Sequence, residues 1–147
     1  MEYWKKRAID RLRDYRGQMV ALDNIRDQIR ALESEATSIH SAARDSTPVK
    51  GGGSTREDRM LSNFVLREEL KQNLYRTRKY VDCVDRGLAV MDKQDRSLIE
   101  RAYINGERGY AERMAEELGL EDVRSVYKRL DKALYRMTIA MYGVTES

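Results

Sequence analysis

The chain has 147 residues, of which 41% are apolar and 36% are charged, and its formal net charge is +3. This charge content is typical of long solvated helices or coiled coils, and the length fits one domain or two small ones. We expect no membrane span because no run of about 18 apolar residues is present, and the charged N-terminus lacks a signal-peptide core. One cysteine, Cys83, leaves no internal disulfide and fits a reducing cytoplasm.

The first predicted element is a long helix from Tyr3 to about Ala43, a stretch with one glycine and no proline. Its apolar residues recur every three or four positions, which is close to a coiled-coil seam. A helix of this length cannot bury an apolar stripe on itself, so it needs a partner. The seam consists of Leu12, Tyr15, Met19, Leu22, Ile25, Ile29, Leu32, Ala36 and Ile39.

A flexible polar connection follows at residues 44–55, with the only proline and three consecutive glycines. Ser54 or Thr55 is a candidate cap for a second long helix, whose apolar stripe continues to about Met91. The two helices are predicted to fold back as an antiparallel hairpin over residues 1–91. The alternative is that the first helix pairs with another subunit, and the pattern is compatible with both.

Residues 92–147 are predicted to form a separate C-terminal helical domain. Asp92 is expected to cap a helix that begins near Lys93 and ends at Asn105–Gly106. No segment alternates between apolar and polar residues in the manner of a strand. The chain is therefore predicted to be all-α, with a long helical hairpin followed by a helix-turn-helix domain.

Charge is divided unequally between the two helices of the predicted helix-turn-helix. The first, about Gly109 to Leu118, has three acids and one base, a sum of −2, and the second, Val123 to Met137, has five bases and one acid, a sum of +4. Gly119 suits the tight turn between them, and Asp122 suits the cap. Because the major groove of DNA admits one helix, the basic helix is predicted to lie there. The alternative is a merely solvated basic face.

The periodicity of the second helix separates inward from outward positions. Its inward residues are Val126, Leu130, Ala133, Leu134 and Met137. The remaining positions are the candidate DNA-binding residues, divided between base edges and phosphates. Those predicted at or near base edges are Arg124, Ser125, Tyr127 and Lys128, and those predicted at phosphates are Arg129, Lys132 and Arg136.

The segment from Met91 to Met137 resembles sigma-70 region 4. In that family a helix with the pattern x-R-x-x-I/L-x-x-R-Y-x-x-G precedes E-x-x-A-x-x-L-G and a second helix with V-x-x-x-x-x-x-A-L-x-x-L. The linker between Gly106 and Ala115 and the turn before Val126 are both longer here than in the family. The matching residues are Arg96, Leu98, Ile99, Tyr103, Gly106, Glu112, Ala115, Leu118, Gly119, Val126, Ala133, Leu134 and Met137.

A small chain with long N-terminal helices and this C-terminal part is similar to phage transcriptional regulators of the RinA and ArpU kind. The resemblance implies binding of double-stranded promoter DNA and activation of late genes of a phage or prophage, in the cytoplasm of a bacterial host. It also implies contact with RNA polymerase, and the N-terminal helices would form a homodimer. Two alternatives stay open: a small terminase-like subunit for DNA packaging, and an adaptor that binds RNA polymerase without DNA.

No catalytic set, metal site or cofactor is predicted, so we do not expect an enzyme. His40 is the only histidine and has no cluster at ligand spacing, while Cys83 lies on an apolar stripe. The glycines at 51–53 lack the spacing and the preceding strand of a phosphate-binding loop. The stretch Lys5–Arg16, which follows Trp4, holds six bases and two acids. It is either a second DNA-backbone contact or a solvated helix end, and its acids argue against a membrane-surface helix.

Overall fold

A computed structural model of the chain describes residues 2–45 and 53–143, and its secondary structure is entirely helical. The all-α prediction is confirmed, since these residues contain no strand. A π-helical turn at Glu100–Ile104 continues the third helix, with the Asn105 N–H donating to the Glu100 carbonyl at 2.7 Å. The five α-helices are α1, Tyr3–Asp45; α2, Gly53–Ala89; α3, Lys93–Ile99; α4, Tyr110–Glu117; and α5, Val123–Tyr142.

Both ends of the predicted loop at residues 44–55 are helical. α1 continues to Asp45, and α2 begins at Gly53, so Ser54 and Thr55 lie inside its first turn and not at the cap. The physical reason is that short polar residues are tolerated in a first helical turn as well as at the cap. The remainder of that loop, residues 46–52, lies outside the described residues.

Two compact units make up the fold, and α1 and α2 each contribute to both. The first unit comprises Met1–Gln18 and Lys79–Ser147, and the second comprises Met19–Arg78. The domain boundary that the sequence analysis places at residue 91 differs from this division into two units, because it assigns the whole hairpin to one domain. Contacts place the base of the hairpin with α3, α4 and α5, since Leu12 and Val84 belong to their core.

The first unit has a single apolar core to which all five helices contribute. Leu12, Val84, Leu98 and Leu134 are completely buried in it. α2 approaches α5 most closely at Gly87, where a Cβ atom would lie 2.9 Å from the Cγ atoms of Met137 and Met141. A larger residue at this position would push the helices apart or displace both methionines.

In the second unit, α1 and α2 run antiparallel, as the hairpin prediction requires. Leu32 lies beside Asn63, and Glu35, further along α1, lies beside Arg59, which is earlier in α2. The Asn63 side chain is buried and its Nδ2 donates to the Leu32 carbonyl at 2.9 Å, while its Oδ1 accepts from Arg67 Nε at 2.7 Å. A satisfied polar side chain at such a position favours one register of the two helices.

Two tyrosines connect α1 to α2 in the first unit. The Tyr80 hydroxyl donates to the Arg11 carbonyl at 3.0 Å, and the Tyr15 hydroxyl donates to the Asp85 carboxylate. Burial is the main cause that raises the pKa of each tyrosine to about 12, and nearby carboxylates, Asp85 for Tyr15 and Asp14 for Tyr80, add to it. The native state therefore keeps phenol protons that the unfolded chain loses near pH 10. This contribution to stability is complete below about pH 10 and is lost as the pH rises to about 12.

We expect Tyr80→Phe to reduce the stability of the chain less at high pH than at neutral pH. The substitution removes a hydrogen bond worth about 1 kcal/mol, but it also removes a group whose ionisation opposes the native state. Urea unfolding followed by circular dichroism at about pH 8 and about pH 11 would measure the difference. Tyr3→Phe, at an exposed position, is the matched control. A gap between wild type and Tyr80→Phe that is equal at both pH values would contradict the assignment.

Candidate nucleic-acid interface

α4 and α5 are joined by a tight turn whose glycine has a left-handed backbone. Gly119 has φ +65°, and the Leu120 N–H donates to the Ala115 carbonyl at 2.8 Å, while the Gly119 N–H donates to the Glu116 carbonyl at 3.2 Å. These two bonds form a Schellman motif, which ends a helix and reverses the chain direction. The predicted role of Gly119 is thus confirmed.

Asp122 fixes the start of α5. Its backbone is extended and its Oδ1 accepts from the Arg124 N–H at 3.0 Å, so it is the N-cap that the sequence predicts. This cap sets the rotation of the helix, and all five predicted inward residues are buried. Those residues are Val126, Leu130, Ala133, Leu134 and Met137.

Four exposed side chains occupy the first two turns of α5. Arg124, Ser125, Tyr127 and Lys128 all lie on the surface, and we call them the reading stripe. The Nε atom of Arg124 is 3.0 Å from Asp122 Oδ2, in a solvent-exposed pair that a stronger anion can displace. The structure thus brings together the four residues that the sequence predicts at base edges.

Tyr127 is held by a second aromatic ring. Its ring packs edge-on against Tyr110, the first residue of α4, with a centroid distance of 6.4 Å and an interplanar angle of 85°. Burial is the main cause that raises the pKa of the Tyr110 hydroxyl above its ordinary value. The pair orients Tyr127 without covering it, since about half of that side chain remains exposed.

Arg129 and Arg136 have a protein partner that the sequence did not indicate. The Nε atom of Arg129 lies 2.7 Å from Asp95 Oδ1, and Nη1 of Arg136 lies 3.6 Å from Asp95 Oδ2. Asp95 is only 5% exposed, so its carboxylate depends on these cations and connects α3 to α5. Arg129 also donates to Gln94 at 2.9 Å. Of the three residues predicted at phosphates, Lys132 alone has no ion pair within the described residues.

The acidic residues of α4 do not orient the bases of α5. Glu117 binds Arg101 in the π-helical turn, with a distance of 3.0 Å between Oε1 and Nη1. This hydrogen bond raises the pKa of the Arg101 guanidinium. Glu112 and Glu116 are exposed. Among the described residues, no acid of α4 therefore forms an ion pair with a base of α5, and Arg124, Lys128 and Lys132 remain exposed.

The start of α1 lies against the second half of α5, which sequence reasoning missed. The Trp4 ring meets the Tyr135 ring edge-on, with centroids 5.3 Å apart, and Lys5 Nζ is 2.5 Å from Asp131 Oδ1. The basic stretch after Trp4 was a candidate for DNA contact, but no local pattern indicated that it adjoins α5. Chain positions about 130 residues apart leave no periodic signal in a single sequence.

The remaining features considered in the sequence are membrane-spanning helices, metal sites, His40 and Cys83. In the part of the chain that the structure describes, no helix has the length and apolarity to cross a membrane. No group of three or more His, Cys, Asp and Glu side chains in those residues could hold a metal ion. His40 is exposed, and Cys83 is half-buried with its Sγ 3.7 Å from the Met141 carbonyl.

Comparison of the chain with protein-family models, curated proteins and solved structures finds no match, so the resemblance to sigma-70 region 4 stays a prediction.

Proposed function

We propose that this protein is a sequence-specific DNA-binding regulator of transcription that reads the major groove with α5. The observation that carries the proposal is the reading stripe, which lies directly after a Schellman turn and opposite the buried residues Val126 and Leu130. In a helix-turn-helix, the first turns of the second helix meet base edges. Arginine and lysine recognise guanine there, and serine accepts or donates to several bases.

The biological setting of the proposal comes from the resemblance to regulators of the RinA and ArpU kind. It favours a phage or prophage protein that activates late genes in the cytoplasm of a bacterial host. RNA polymerase is then a second partner, reached through a surface other than the reading stripe. No catalytic activity, metal or cofactor is part of this proposal.

Sequencing of captured DNA tests the proposal directly. Tagged wild type and an Arg124→Ala/Lys128→Ala double variant would be incubated with sheared phage and host DNA. We expect sharp enrichment of one upstream region by the wild type and its loss in the variant. Diffuse enrichment together with a large ring-shaped oligomer would support the packaging alternative. Absence of duplex binding at low salt would support the polymerase-binding adaptor.

Lys132→Ala is expected to weaken binding to all DNA sequences alike. Lys132 is exposed on α5 beyond the reading stripe, so it is positioned to neutralise a phosphate. Loss of one phosphate contact lowers the slope of log affinity against log salt by about one. Anisotropy of a labelled duplex at several salt concentrations would measure it. Arg30→Ala, which removes an equal charge from an exposed position of α1 in the second unit, should leave the slope unchanged. A Lys132→Ala slope equal to that of the wild type would rule out the contact.

We also propose a homodimer, formed through the outer face of α2 in the second unit. Leu61, Phe64 and Val65 lie on one side of this helix and are 61%, 52% and 46% exposed. Glu57 and Lys71 are each seven residues from Phe64 and share its edge of the helix. Antiparallel pairing of two copies about Phe64 brings Glu57 of one opposite Lys71 of the other, so the face is complementary to itself. Dimers of helix-turn-helix proteins bind two half-sites.

Charge exchange tests this pairing. We expect Glu57→Lys to weaken dimerisation because it places two lysines opposite each other, and Glu57→Lys/Lys71→Glu to restore it. Sedimentation equilibrium at micromolar concentrations would measure the dimer fraction. Val20→Glu, at an exposed apolar position of α1, is a control that should have no effect. A monomeric wild type, or a double variant no better than Glu57→Lys, would contradict the pairing.

A further inference from the structure

A groove of about 730 Å³ runs between the first turn of α1 and the second half of α5, within the first unit. One wall carries the Trp4 ring and Lys5, and the other carries Lys132, Tyr135 and Arg136. The two walls are connected by the edge-on contact of Trp4 with Tyr135. The remaining lining residues are Glu2 and Asp131.

An ion pair within the groove neutralises the one carboxylate that α5 contributes to it. Asp131 is the only acid between Val123 and Met137, and Lys5 Nζ lies 2.5 Å from its Oδ1. This pairing leaves Lys132 and Arg136 as the cations that α5 directs into the groove. Arg136 remains 64% exposed although its Nη1 lies 3.6 Å from Asp95, so its other nitrogens are available for an external acceptor.

These two cations continue the line of bases that begins at the reading stripe. Arg124, Lys128, Lys132 and Arg136 are spaced four residues apart, so they follow one another along the outer side of α5. The line starts at the positions assigned to base edges and ends in the groove. A DNA duplex that holds the start of this line in its major groove therefore also lies beside the protein groove at the end of the line.

We propose that the groove binds the phosphodiester backbone of the DNA strand that borders the major groove occupied by α5. Lys132 and Arg136 contact phosphates from one wall, and the Trp4 indole N–H donates to a phosphate from the other. The inference rests on the proposed DNA-binding function and adds to it a binding site supplied by α1. The later turns of a recognition helix commonly contact the backbone, and such contacts fix the register of the helix on the bases.

The Trp4 and Tyr135 rings suit a phosphodiester backbone better than additional lysines at these positions would. A deoxyribose presents an apolar surface between two phosphates, and a tryptophan ring offers an apolar face together with one donor. Of the two carboxylates in the lining, Asp131 is paired with Lys5, and Glu2 has no ion pair among the described residues, so its charge opposes a phosphate. Removal of its charge should therefore strengthen DNA binding.

Trp4 is the only tryptophan, so its fluorescence reports on the groove alone. The full-length protein would be titrated with a mixed-sequence duplex at low salt, while anisotropy of the labelled duplex records binding separately. We expect quenching of Trp4 emission with the same midpoint as the anisotropy change. Arg136→Gln should lower the salt slope and shift both midpoints to higher DNA concentration, and Glu2→Gln should shift both several-fold lower. Arg30→Gln, an exposed base on α1 outside both the groove lining and the basic stretch Lys5–Arg16, is the control for general charge.

The outcomes distinguish a failure of the proposed phosphate site in the groove from a failure of the proposed DNA-binding function. DNA binding by anisotropy without a change in Trp4 emission would overturn the groove and leave the proposed function standing. An Arg30→Gln effect as large as that of Arg136→Gln would overturn it in the same way. Quenching by an acidic peptide at lower concentration than by DNA would assign the groove to a protein partner. No binding in either measurement would overturn both proposals.

Discussion

The double variant Arg124→Ala/Lys128→Ala is expected to lose its preference for the wild-type DNA site while keeping its fold. Each good base contact from such a side chain is worth about 1–3 kcal/mol, so the two together reduce specific affinity on the order of a hundredfold or more. Both side chains are exposed, so the free energy of unfolding should change by no more than about 0.5 kcal/mol each. Affinity for unrelated DNA should fall less, because it depends on charge alone.

Anisotropy with the enriched duplex and with a scrambled duplex of equal length would measure the ratio of the two affinities. Arg30→Ala/Arg76→Ala removes the same charge from exposed positions of the second unit and is the matched control. We expect the control to retain the wild-type ratio. A similar loss of the ratio in the control would show that α5 is not the reading helix.

Asp95→Ala is expected to destabilise the first unit and, at the same time, to strengthen non-specific DNA binding. Removing the buried carboxylate takes from Arg136 its partner in α3 and leaves Arg129 with only Gln94 and the more distant Asp92 carboxylate, at 3.8 Å. Loss of one member of a buried ion pair costs about 3–5 kcal/mol, and because Arg129 is 33% exposed and turns partly to water, we expect about 2–3 kcal/mol. The released guanidiniums then add to the positive charge that faces DNA, which steepens the salt dependence.

Urea unfolding and salt-dependent anisotropy would measure the two effects separately. Asp92→Ala is the control, because it removes the N-cap of α3 and a solvent-exposed 3.8 Å contact with Arg129 and should cost only about 1 kcal/mol. If Asp95→Ala is no more destabilising than Asp92→Ala, the buried carboxylate does not hold α3 to α5. If its salt slope matches that of the wild type, the two arginines do not reach DNA when released.

The features of the interface that depend on neighbouring residues were predictable. The inward face of α5 follows from the 3.6-residue period, and Gly119 and Asp122 act within one turn of their own positions. The partner of Arg129 was not predictable, because Asp95 lies 34 residues earlier and its burial depends on how α3 packs. The requirement for glycine at Gly87 arises in the same way from the close approach of α2 to α5.

Prediction of the larger organisation shows the same division. Periodicity indicated two long helices, because each carries its own apolar stripe, and the connection at residues 44–55 favoured their antiparallel pairing, with pairing to another subunit left as the alternative. It did not indicate that α1 contributes Leu12 to the core that holds α5. The π-helical turn was also missed, since a shift of hydrogen bonds by one residue leaves no trace in composition.

The division of α1 and α2 between two units has a consequence for the order of folding during synthesis. The second unit is one continuous stretch, Met19–Arg78, so all of its contacts are available before α5 is made. The first unit needs residues from both Met1–Gln18 and Lys79–Ser147, so its core has long loops to close and forms late. Because the chain is synthesised from its N-terminus, Leu12 cannot enter the core of the first unit until α5 has been translated. We therefore expect a partly made chain to fold the second unit before the reading stripe of α5 has been synthesised.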